Sequence, residues 1–77
     1  MTRYTYNSLK SDLPALNAKL DKLGHKYRFV PGHRYGYAAI DLATLEQIKE
    51  YGVHTMLEGG TPRECLAACH KYISAQI

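Results

Sequence analysis

The run from His33 to Leu42, His-Arg-Tyr-Gly-Tyr-Ala-Ala-Ile-Asp-Leu, alternates with the period of a β-strand. Tyr35, Tyr37, Ala39 and Asp41 fall on one side, and Gly36, Ala38, Ile40 and Leu42 on the other. The second set reads as a core face and the first as a contact surface carrying two aromatics. Any fold of this chain has to cover one side of that strand. Lys26 to Val30 precedes it as a shorter strand, with Tyr27 and Phe29 on one face and Arg28 on the other. Pro31-Gly32 is a turn signal that joins the two into a hairpin.

The flanking segments supply helices. Thr2 to Tyr6 alternates and suggests a first strand, ended by Asn7 and Ser8. Ser11 or Asp12 can cap a helix whose first turn accepts Pro14, and Leu13, Leu16, Leu20 and Leu23 follow at helical spacing up to Gly24. Thr44 with Gln47 forms a capping box for a short helix carrying Leu45, Ile48 and Tyr51, ended by Gly52. Val53 to Leu57 reads as a last strand. Thr61-Pro62-Arg63-Glu64 opens a final helix with Cys65, Leu66, Ala68, Cys69, Tyr72 and Ile73 turned inward. The expected class is α+β: a ferredoxin-like β-α-β-β-α-β order with an added C-terminal helix, or, if the first segment is only an extended arm, a three-stranded antiparallel sheet with helices on one face.

Seventy-seven residues make one domain, close to the lower size at which a single apolar core suffices, so a homo-oligomer is expected. The core expected is Leu13, Leu16, Leu20, Phe29, Ile40, Leu42, Leu45, Ile48, Val53, Leu57, Leu66 and Ile73, with tyrosines. Cys65 and Cys69, four apart on a helix, place their Cβ atoms roughly 5–6 Å apart, beyond the ~3.5–4.5 Å a disulfide needs. Reduced thiols, no leader and no apolar run near the ~20 residues of a membrane span make a soluble, cytoplasmic chain the expectation. The net charge of +3 is unevenly placed: Lys19, Lys22, Lys26, Arg28 and Arg34 face only Asp21, whereas Asp41, Glu46, Glu50, Glu58 and Glu64 outweigh Lys49 and Arg63.

Several groups invite a chemical reading. On the hairpin, Tyr35, Gly36 and Tyr37 resemble the central strand of an RNA-recognition motif, which stacks bases on such aromatics. Arg34 replaces that family's glycine, and Ile40 its last aromatic. The strand pattern leaves Arg3, Arg28, Tyr35, Tyr37 and His54 as a basic, aromatic platform on the outer sheet face, suited to a nucleotide or an acidic protein, or else merely covering the sheet. Gly59-Gly60 before Thr61 and Arg63 offers amides at a helix start, where a phosphate or simply a cap is served. Cys65, Cys69 and His70 fail as a metal site, because His70 stands about 100° around the helix from Cys69. Asp41 closes the polar face and could orient His33, His54 or a ligand hydroxyl, but one acid is not a catalytic device. The candidate ligand-binding residues are thus Arg28, His33, Arg34, Tyr35, Tyr37, Asp41, Thr61 and Arg63, with no catalytic group, metal or cofactor.

Arg34-Tyr35-Gly36-Tyr37-x-Ala39-Ile40-Asp41-Leu42 together with Leu57-Glu58-Gly59-Gly60-Thr61-Pro62-Arg63-Glu64 resembles small bacteriophage and prophage proteins with a Gly-Tyr-x-Ala-Ile-Asp-Leu strand before a Gly-x-Thr-Pro-Arg-Glu helix start. The resemblance implies a non-enzymatic accessory protein of the host-cell cytoplasm. Such a protein inhibits a bacterial defence system by binding an anionic nucleotide signal or a nucleic-acid site on a defence protein. The alternative is a single-stranded nucleic-acid binder of ferredoxin-like fold.

Overall fold

A computed structural model describes residues 3–34 and 36–77, with backbone only at 33 and 34. The order is α1 (Tyr6–Lys22), β1 (Tyr27–Arg34), β2 (Tyr37–Thr44), α2 (Leu45–Glu50), β3 (Thr55–Gly60) and α3 (Pro62–Ala75). The three strands form one antiparallel sheet in the order β1-β2-β3. The α+β class therefore holds, in its three-stranded form. A strand over Thr2–Tyr6 does not: Thr2 lies outside the described residues, 3–5 carry no strand, and Tyr6 already opens α1.

The long first helix has a local cause. Thr5 is the N-cap, its Oγ1 accepting the Ser8 N–H at 3.2 Å, so neither Ser11 nor Asp12 is needed there. Leu9 extends the inward row to Leu9, Leu13, Leu16 and Leu20, all buried. Pro14 then sits inside the helix on its exposed side, where it removes one backbone bond and crowds the turn before it at a cost near 3 kcal/mol. Burial of four leucines, at about 1.5–3 kcal/mol each, outweighs that cost. Leu23 is the C-cap and is exposed, whereas Gly24 takes the left-handed φ of 71° expected of it.

Pro31-Gly32 is not a turn. β1 runs straight through, with Pro31 opposite Ile40 and Gly32 opposite Ala39. The hairpin reverses between Arg34 and Tyr37, where Gly36 has φ 83°. Proline is tolerated because β1 is an edge strand whose outer groups are already occupied. Asn17 of α1 donates its Nδ2 to the Phe29 carbonyl at 3.1 Å and accepts the Phe29 N–H at 2.7 Å, so both groups point away from β2. By the same alternation, the amide that Pro31 lacks would face outward. Tyr27 donates its N–H to His25 Nδ1 at 3.2 Å. β3 is blunted differently: its register with β2 slips between Ile40 and Asp41, leaving Leu57 as the extra residue, and the Gly59 N–H donates to Glu58 Oε1 at 3.2 Å.

Both capping boxes read from the sequence are present, Thr44 with Gln47 and Thr61 with Glu64. The core lies between one sheet face and α1 with α3. Phe29, Ala38, Ile40 and Leu42 meet Leu9, Leu13, Leu16, Leu20, Cys65, Cys69 and Ile73. Leu57 and Leu66 pack at its margin. Leu45 and Ile48, expected in the core, are exposed instead, because α2 is six residues long and buries neither, and Val53, expected there too, is exposed in the segment before β3.

Candidate functional site

The residues expected to form one platform have separate tasks. Arg28 is not a free cation: its guanidinium pairs with Asp21 and donates to the carbonyls of His25 and Tyr27, which ties the α1–β1 turn together. Thr61 caps α3 by accepting the Glu64 N–H at 3.2 Å. Glu64 returns to the Thr61 N–H, and its carboxylate fills the space beside Gly60 that a Cβ would occupy. The helix start that could hold a phosphate is thus occupied by the chain's own carboxylate, the structural use of that sequence. Arg63 lies over the Tyr4 ring at 5.8 Å, and the Tyr4 hydroxyl donates to Asp12 at 2.7 Å. Burial first, and the Asp12 carboxylate second, push that phenol up from its ordinary value.

On the sheet face away from the core, Gly32, Ala39 and Gly59 form a row of small residues across three strands. Longer side chains close over its ends. The Tyr37 ring lies so near Gly59 that a Cβ there would stand 2.7 Å from it, and the Asp41 carboxylate would stand 3.2 Å from a Cβ on Gly32. Asp41, expected on an open polar face, is 6% exposed, and Ala39 and Ala43 are fully buried. Tyr37 keeps 37% of its surface exposed. Of the remaining site residues, Arg34 is opposite Tyr37 and His33 opposite Ala38 in the strand register. Their side chains, and Tyr35 altogether, lie outside the described residues. Arg3 is exposed on the segment before α1, and His54 has its Nδ1 buried without a hydrogen-bond partner. The register therefore places Arg28, opposite Ala43, on the same sheet face as Tyr37 and Asp41, with its guanidinium held at the α1–β1 turn, and leaves Thr61 and Arg63 elsewhere.

A different surface comes into view on α2 and β3. Leu45, Ile48, Tyr51, Val53 and Met56 are all exposed within twelve consecutive positions. Glu46 and Glu50 are exposed along the same stretch of chain, and among the described residues neither forms an ion pair, whereas Glu58 and Glu64 accept the backbone N–H groups of Gly59 and Thr61. Residues 45–60 sum to −2, from Glu46, Glu50 and Glu58 against Lys49, which leaves +5 for the rest of a chain of net charge +3. Sequence reasoning took Leu45, Ile48 and Val53 for core. The available signal was the brevity of α2 and the charges set between its apolar positions.

Cys65 and Cys69 are free and buried, and burial pushes the Cys69 thiol from 9.0 up to about 12. A group whose folded pKa is raised contributes stability below its unfolded pKa and loses it as pH rises toward the folded one. Thermal unfolding is therefore expected to be constant from pH 7 to about 8.5 and to lose about 2 kcal/mol from Cys69 alone by about pH 10.5. Cys65, Tyr4, Tyr6 and Tyr72, all raised chiefly by burial, add in the same direction. A melting temperature flat across that window would contradict the packing of α3.

Among the described residues no group of three histidine, cysteine or acidic side chains could hold a metal ion, and no helix is long and apolar enough to cross a membrane. The geometry defines a small α+β domain with exposed carboxylates on α2 and exposed apolar side chains on α2 and the segment after it. No family model, curated protein or solved structure matches the chain.

Proposed function

We propose that the chain is a non-enzymatic phage accessory protein of the host cytoplasm that disables a bacterial defence system by covering the nucleic-acid site of a defence protein. The observation that supports this reading is the pair of exposed carboxylates on α2, Glu46 and Glu50, which form no ion pair among the described residues. A protein surface that binds nucleic acid is cationic and is steered toward such carboxylates as it is toward phosphates. Capture of an anionic nucleotide has less support, because Arg28 and Thr61 are engaged within the fold and Glu64 occupies the α3 start.

Calorimetric titration of cyclic nucleotides and single-stranded oligonucleotides into the chain is expected to give no heat of binding. Added to a defence nuclease holding a fluorescent oligonucleotide, the chain is expected to displace it, and Glu46→Lys with Glu50→Lys to abolish displacement. Tight oligonucleotide binding that weakens steeply with salt and is lost in Tyr37→Ala would instead establish the single-stranded nucleic-acid binder.

A further inference from the structure

The backbone groups that β1 turns away from β2 are met in succession by side chains, as an edge strand requires. Asn17 serves both groups of Phe29, Arg28 Nη1 donates to the Tyr27 carbonyl at 2.9 Å, and Pro31 has no N–H to serve. The Tyr27 N–H is met by His25 Nδ1 at 3.2 Å. Of these partners only the imidazole belongs to a class that changes charge near neutral pH.

That contact fixes the state of the ring. A backbone N–H can only donate, so Nδ1 carries a lone pair and the proton of the neutral ring sits on Nε2. Nε2 lies 3.2 Å from the Tyr72 hydroxyl of α3, whose oxygen therefore accepts. The neutral imidazole thus uses one nitrogen on β1 and the other on α3. It also meets the Tyr72 ring edge-on, with centroids 5.4 Å apart, and Tyr72 meets Phe29 of the core in the same manner at 5.8 Å. Protonation would set an Nδ1–H against the Tyr27 N–H, two donors in contact, and that bond is lost. The groups around the ring supply no free carboxylate to offset the loss. They are Tyr27 of β1, with Lys26 over its ring, and Tyr72 of α3, a phenol that burial pushes up and so keeps neutral. The Arg28 guanidinium donates to the His25 carbonyl and pairs with Asp21 of α1.

We infer that His25 is an acid-released latch on the β1 edge: neutral, it closes the Tyr27 N–H and ties the α1–β1 turn to α3; protonated, it opens that rung of the edge. The Asn17 amide two residues further along does not titrate, so the opening is confined to the start of β1. The inference does not depend on the proposed defence target.

Nuclear magnetic resonance of the full chain reads both halves of it. At about pH 8 the His25 ring nitrogens are expected to show the Nε2–H tautomer. Between about pH 8 and about pH 5, the exchange protection of the Tyr27 amide, corrected for its intrinsic rate, is expected to fall at least about tenfold while that of Phe29 holds. His25→Asn sets an amide oxygen where Nδ1 stands and is expected to keep Tyr27 protected throughout. An Nδ1–H tautomer at neutral pH, constant Tyr27 protection in the parent chain, a fall shared by Phe29, or a fall that persists in His25→Asn would each overturn the inference.

Discussion

Leu20→Ala is expected to cost about 3–5 kcal/mol, enough to leave the chain largely unfolded near physiological temperature. Leu20 is fully buried and belongs to the single cluster that joins α1, the sheet and α3. Removing three carbon atoms there forfeits their transfer free energy and opens a cavity that three converging elements cannot collapse without moving together. A domain of this size has a total stability on the order of 4–10 kcal/mol, so one such cavity uses up a third or more of it. Chemical denaturation followed by circular dichroism is the check. A loss below about 1 kcal/mol would mean that the core is not shared among these three elements. The contrasting substitution is Leu23→Ala: Leu23 is an exposed C-cap despite its place in the same leucine spacing, and its loss is expected to stay within about 0.5 kcal/mol.

Asn17→Ala is expected to cost about 2–3 kcal/mol and to make the protein aggregate. The side chain satisfies both the N–H and the C=O of Phe29, serving as a one-residue substitute for a fourth strand. Without it two backbone groups are left partly buried and unpaired, and the β1 edge becomes a template for pairing with other chains. Asn17→Asp, which keeps the acceptor and loses the donor, is expected to fall between the two. Light scattering during mild heating separates the two consequences. An Asn17→Ala protein as soluble and as stable as the parent would show that β1 is protected by something other than this amide.

How much of this was legible before the structure differs from element to element, for physical reasons. Capping boxes are local chemistry, completed within four residues, and Thr44 with Gln47 and Thr61 with Glu64 could be read directly. The hairpin was legible, but its turn was not. Pro31-Gly32 is a turn signal in isolation, and it was overridden by tertiary structure: β1 lies at the sheet edge, where a proline is tolerated, and Asn17 of α1 satisfies the outer groups of Phe29. Thr2–Tyr6 alternates like a strand, yet Thr5 caps and Leu9 extends the leucine row, so the helical reading of the same residues buries more apolar surface. The candidate site was the least legible part. Arg28 carries ligand-binding chemistry in any sequence, and only the fold reveals that it already has internal partners in Asp21 and the carbonyls of His25 and Tyr27. Leu45 and Ile48 erred in the opposite direction, because an apolar residue on a helix too short to reach the core looks the same in sequence as a core residue.

The proposed action, presentation of the α2 carboxylates to a cationic protein surface, is tested most directly by the plating efficiency of a phage on bacteria with an active defence nuclease. Expression of the chain is expected to restore plating to the level of an undefended host. Glu46→Lys with Glu50→Lys, both exposed and outside the core, is expected to return plating to the defended level while the protein remains folded and abundant. Undiminished rescue by the charge-reversed protein, or no rescue by the parent chain in any defended host, would contradict the account.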